Sequence, residues 1–242
     1  IILRKYGLTL NDEKCKYQVM ATVKAFTQPD IPLMLNDRPL EKVEEYVYLG
    51  SVISSRAVDR PDVERRLKLA KVGVSRLRHI LFDQSLPIRL RVKALRVFIY
   101  PIATYASETW ALKTEDRNHV RGWWMSILRR MAGIPWYLKK TNLEVLSICH
   151  KSKHLTTMID SRRMRYAGHL WRYPTERYAR QSMFAAWNLT RAGNGKRSTP
   201  ANSWEAQVHL DLWLPGDLWL DMPKEVYREK LEELYSNQDL CD

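Results

Sequence analysis

The spacing of apolar residues changes once along this chain, near residue 56. Ahead of that point, short apolar runs are broken by polar and turn residues. Residues 1–10 read as the end of a helix closed by Gly7, the residue type that most easily adopts a helix C-cap conformation. Lys16 to Phe26 alternates imperfectly and predicts a strand. Pro29 to Asn36 reads as loop or short strand, with Asn36-Asp37 as a turn signal. Tyr46, Tyr48 and Leu49 with Val52 and Ile53 make two β-prone runs broken at Gly50-Ser51, which predicts a tight hairpin over 44–55.

Beyond residue 56 the period becomes helical. Val63, Leu67, Ala70, Val74, Leu77 and Leu81 step by four and three, behind a start at Asp59 and Pro61. A second helix follows Pro87, with Val92, Leu95, Ile99 and Ile102 on one face and Arg89, Lys93 and Arg96 on the other; Pro101 should kink or end it. Thr114 opens a third, turning Val120, Trp124, Ile127 and Met131 inward and closing at Gly133. Thr141-Asn142-Leu143-Glu144 is a capping-box pattern for a fourth. Residues 152–173 predict a fifth, on which Arg162, Arg165, His169 and Arg172 share a face. Residues 190–203 read as a basic linker, Asp-Leu-Trp-Leu occurs at 211–214 and 217–220, and Lys224 to Tyr235 predicts a short acidic helix. The expected fold is mainly α with a small antiparallel β part at the N-terminus.

Charge narrows the partners. Among 242 residues, 40 Lys and Arg against 27 Asp and Glu leave +13. Residues 204–242 hold ten acids and three bases, so residues 1–203, with 37 bases and 17 acids, carry +20. Such a field favours polyanions, nucleic acid first and an anionic membrane second. Three widely spaced cysteines (Cys15, Cys149, Cys241) make no disulfide framework and point to a reducing, intracellular compartment. No apolar run approaches the roughly 18 residues a membrane span needs. Cys149, His150 and His154 lack the spacing of a zinc site, and no Gly-rich phosphate loop is present. The chain opens inside an apolar segment and reads as a fragment.

Several stretches gain meaning together. Gly7-Leu8-Thr9-Leu10-Asn11, with Lys14, Cys15 and Lys16, is followed by Tyr48-Leu49-Gly50-Ser51. After these come Asp62-Val63-Glu64-Arg65-Arg66, Tyr105-Ala106-Ser107-Glu108-Thr109-Trp110, Ile127 to Gly133 and Arg162 to His169. In this order they resemble the C-terminal part of the reverse transcriptases of non-LTR (LINE-type) retrotransposons, over roughly residues 1 to 205. Cys15 departs from the family's usual Thr, and the acidic tail has no counterpart. The resemblance implies the end of a palm with its primer-grip hairpin (1–55), a helical thumb (56–113) and a basic post-thumb helical region (114–189). The linker (190–203) and the acidic Trp-rich tail (204–242) follow.

The same resemblance implies an RNA template with a DNA primer as partner, Mg²⁺ for the intact polymerase, upstream palm and fingers of the same polyprotein, and a nuclear site of action. It implies assisting roles near the active centre for Lys14 or Lys16, and nucleic-acid contacts for Tyr48, Leu49 and Gly50. Arg65, Arg89, Lys93, Arg96, Arg162, Arg165 and Arg172 would meet phosphates. Polymerase chemistry needs carboxylates holding two metal ions about 4 Å apart. The chain contains no Asp-Asp dipeptide, so alone it should not extend a primer. A non-catalytic nucleic-acid-binding or interaction protein of retroelement descent stays open, because a basic stripe is also the wet face of any helix.

Overall fold

A computed structural model describes residues 5–7, 11, 14–20, 32–36, 38–150, 152–174, 176–182, 204, 207 and 208. The linker at 190–203, the two Asp-Leu-Trp-Leu copies, Trp187 and the helix expected at 224–235 lie outside them. The fold is mainly α with small sheets near the N-terminus. It divides into two compact units, residues 1–65 and 66–242.

In the first unit, β1 (Lys16–Tyr17) pairs with β4 (Glu41–Lys42) in parallel, while β2 (Met34–Leu35) and β3 (Arg38–Pro39) form an antiparallel pair around Asn36, at φ 49. The strand expected from Lys16 to Phe26 stops at Tyr17 among the described residues. There the Tyr17 carbonyl accepts Val43 N–H at 3.0 Å, and the Gln18 amide reaches across to the carbonyls of Glu44 (2.7 Å) and Ile53 (3.0 Å). β5 (Glu45–Tyr48) and β6 (Ser51–Ser54) form the expected hairpin, with Tyr48 opposite Ser51.

The hairpin's turn is Leu49-Gly50 rather than Gly50-Ser51. A type I′ hairpin loop, whose twist matches that of the strands, requires positive φ at both central residues. Leu49 (φ 48) and Gly50 (φ 88) both comply, which leaves Ser51 free to begin β6.

The helices follow the apolar period. α1 (Arg60–Arg76) starts where Val63 N–H bonds to the Asp59 carbonyl, and α2 (Arg78–Leu81) follows after a break at Leu77. In the second unit Leu67, Ala70 and Leu81 are buried as spaced. α3 (Ile88–Ala94) runs through a π-helical segment (Leu95–Ile99) into α4 (Tyr100–Ala103). Pro101 thus neither ends the helix nor acts alone. It can offer no N–H to the preceding turn, and the turn widens just before it so that Tyr100 N–H bonds to the Leu95 carbonyl. Gly73 of α1 gives room here, since a β-carbon would stand 3.0 Å from Ile99 Cδ1.

α5 (Thr114–Met131) buries Val120, Trp124, Ile127 and Met131 as its spacing predicts. α6 (Asn142–Ile148) opens with the full capping box between Thr141 and Glu144. α7 (Leu155–Trp171) packs on α5 and on a 3-10 turn at Ser107–Thr109. Filling this core with Trp110, Trp124, Leu128 and Leu155 contributes about 1.5–3 kcal/mol per large side chain. Trp123, half-buried beside Trp124, completes the packing pair, with ring centroids 6.2 Å apart. Among the described residues no helix is long and apolar enough to cross a membrane.

Candidate nucleic-acid interface

The hairpin turn is clamped by the start of α1. In this ladder Val52 N–H points away from β5, because residues opposite each other in an antiparallel pair alternate between bonded and non-bonded. Asp62 uses that position: Oδ1 accepts Val52 N–H at 2.8 Å, and Oδ2 accepts the Ser51 hydroxyl at 3.0 Å. One helical turn on, Arg65 Nη1 donates to the Gly50 carbonyl at 2.7 Å. With Gly50, Ser51 and Val52 pinned by the start of α1, the turn holds the Tyr48 and Leu49 side chains out in solvent, Leu49 being 77% exposed. Arg65, expected to reach a phosphate, is therefore engaged in positioning Gly50. Lys14 is exposed in a turn closed on Asn11, and Lys16 forms an ion pair with Glu41 at 2.8 Å.

In the second unit Arg89, Lys93 and Arg96 are all exposed, and none is paired with a carboxylate among the described residues. Arg96 lies inside the π-helical segment and is still exposed. On α7, Arg162, Arg165, His169 and Arg172 gather around one open groove of about 400 Å³, together with Tyr166 and Glu108. Glu108, from the 3-10 turn, accepts from Arg162 Nη2 at 3.2 Å, and His169 Nε2 lies 2.8 Å from the Tyr173 hydroxyl. The groove thus retains a net positive wall behind a single carboxylate.

Trp204 closes one side of this arrangement. Its indole N–H donates to the Glu108 carbonyl at 2.7 Å, and its ring stands edge-on to Tyr166 with centroids 6.2 Å apart. The acidic segment therefore begins docked beside the basic face. Composition showed only its charge and its tryptophans.

Three arginines in basic-looking sequence serve the interior instead. Arg163 is 0% exposed and donates to the Trp110 carbonyl and to Asp160 Oδ1, both at 2.7 Å. Asp160 also takes Arg117 of α5 through both carboxylate oxygens, at 2.8 and 2.5 Å. Arg91 is buried and donates to the Met131 carbonyl at the end of α5. A signal for two of them was present: Arg91 lies four residues before Leu95, and Arg163 four before Ala167, both on apolar stripes.

Cys149 is buried, and burial raises its thiol pKa. Burial likewise lowers the His154 imidazole, helped by the Arg121 charge. Among the described residues no three His, Cys, Asp or Glu side chains converge to hold a metal ion.

No family model matches the chain, and no solved structure matches it. It is similar to an uncharacterised transposon-derived protein of Caenorhabditis elegans, 24% identical over 156 residues. That match covers 63% of this chain and 56% of the nematode protein, so the chain spans about half the length of the curated relative it matches.

Proposed function

We propose that this chain descends from a non-LTR retrotransposon and grips the backbone of an RNA–DNA template–primer duplex. Likeness to a transposon-derived protein supports the descent. The observation that carries the binding role is the gathering of Arg162, Arg165, His169 and Arg172, spread over eleven residues of sequence, around one groove. The exposed Arg89, Lys93 and Arg96 offer a further phosphate-facing row. Contacts of this kind fix position on a duplex by shape and charge rather than by base sequence. The pinned Leu49-Gly50 turn suits a primer grip: its backbone is held rigid, and Gly50 allows close approach of a strand end.

Fluorescence anisotropy with an RNA–DNA heteroduplex, single-stranded RNA and heparin across a salt series tests the reading. Neutralising about 6–10 phosphates costs about 10³–10⁵ in affinity between 50 and 200 mM salt. Heteroduplex preference with such a slope, reduced by Arg89→Ala with Lys93→Ala, is expected. Equal affinity for all three polyanions would sink it.

A further inference from the structure

Between α5 and α6 the chain makes a loop whose two ends are both locked. At the first end Gly133 takes φ 66, while Gly133 N–H bonds to the Arg130 carbonyl (3.2 Å) and Ile134 N–H to the Arg129 carbonyl (2.9 Å). This pair of bonds is the Schellman closure of a helix. At the second end Thr141 and Glu144 form the capping box, and Arg129 Nη2 donates to Asn142 Oδ1 at 2.8 Å, tying one end to the other. Inside these ties a 3-10 turn, Trp136–Leu138, is held outward: Trp136 is 86% and Tyr137 65% exposed, with ring centroids 6.3 Å apart and nearly perpendicular.

Large aromatic side chains held out in water by a rigid loop are costly unless something covers them. Two observations select the occupant. Residues 129–144 carry four bases against the single acid Glu144; Lys140 pairs with Glu144 at 2.9 Å and Arg130 stacks on Phe82, while Lys139, next to the turn, is exposed. The apolar stretch is one short turn, without the several-turn apolar face that an interfacial membrane helix buries. Exposed aromatic rings in a basic stretch match unpaired bases on a phosphate backbone, since every base offers a π-face and every linkage a charge.

We infer that the Trp136-Tyr137 turn is a stacking platform for single-stranded nucleic acid, separate from the duplex-facing groove of α7. The inference does not rest on the duplex reading. Because the loop is tied at both ends before binding, little ordering is needed on contact.

The test is anisotropy of the full chain with a labelled oligothymidylate or oligouridylate of about ten nucleotides, beside an RNA–DNA duplex. Trp136→Ala should weaken single-strand binding about fivefold to 150-fold, the range found for removing a stacked ring. Trp136→Leu, which keeps the patch apolar, should lose nearly as much, while duplex affinity stays unchanged for both. Lys139→Ala should lower the salt slope by about one. Trp136 is exposed, so neither variant threatens the core.

Unchanged single-strand binding in both Trp136 variants would overturn the platform, as would a parent chain that binds no single strand. It would also fall if Trp136→Leu bound like the parent, or if Trp136→Ala abolished only self-association or binding to phosphatidylserine vesicles. Loss of duplex binding in Arg89→Ala with Lys93→Ala, with single-strand binding retained, would bear on the duplex reading alone.

Discussion

Asp62 shows how much a single carboxylate can decide. At 2% exposure its two oxygens satisfy Ser51 and Val52 and leave nothing for solvent. Asp62→Ala orphans a backbone N–H at the hairpin and should cost about 1–3 kcal/mol, seen as a lower urea midpoint and faster amide exchange at Val52. Asp62→Asn keeps one acceptor oxygen and should cost less. Leu49 works in the opposite sense. A bulky side chain at φ 48 carries strain of about 1–3 kcal/mol. Leu49→Asn, with a residue that tolerates this conformation, should therefore raise the melting temperature. On the primer-grip reading the same change weakens duplex binding by removing the projecting side chain. A variant both more stable and equally tight in binding would show that the strain serves nothing at this turn.

Elements join through polar groups that a periodic reading does not see. Asp160 links Arg117 of α5 to the fully buried Arg163 of α7. Asp160→Ala removes the carboxylate beside that buried guanidinium, and a loss of about 3–5 kcal/mol in chemical denaturation is expected. The α6 capping box gives a pH signature. Lys140, then the Thr141 N–H and hydroxyl, hold Glu144 down to about 2, from an ordinary 4.5. A depressed carboxylate contributes above its unfolded pKa and loses that contribution as pH falls through the folded one. The Thr141 amide resonance should accordingly titrate near pH 2; a midpoint near 4.5 would mean the box is not formed. Helix positions were legible because core spacing is a local property, and the capping box was legible because its partners lie three residues apart. The π-helical segment was not, since nothing local says whether a proline will end a helix or widen the turn before it. Nor was the true hairpin turn, which depends on register across the strands and on Asp62 in the following helix.

For the whole molecule, charge rather than packing sets what approaches it. Residues 1–208 carry +19, and residues 209–242, with nine acids and three bases, carry −6. Trp204 fastens the start of the acidic segment to Glu108 and Tyr166, and Gln207 and Val208 just after it are buried. Ending the chain after Val208 keeps that anchor while removing most of the negative charge. Electrostatic steering depends on the summed field, and it is screened beyond about 10 Å at 0.1 M salt. The shortened chain should therefore associate faster with heteroduplex and heparin alike at low salt, with the two forms converging as salt rises. Trp204→Ala in the full chain tests the anchor separately: it removes the indole bond to Glu108 and the edge contact with Tyr166 while leaving the charge untouched. A change in low-salt association rate on truncation, with none for Trp204→Ala, would assign the tail's effect to its field. The reverse result would assign it to the indole seated beside the α7 groove.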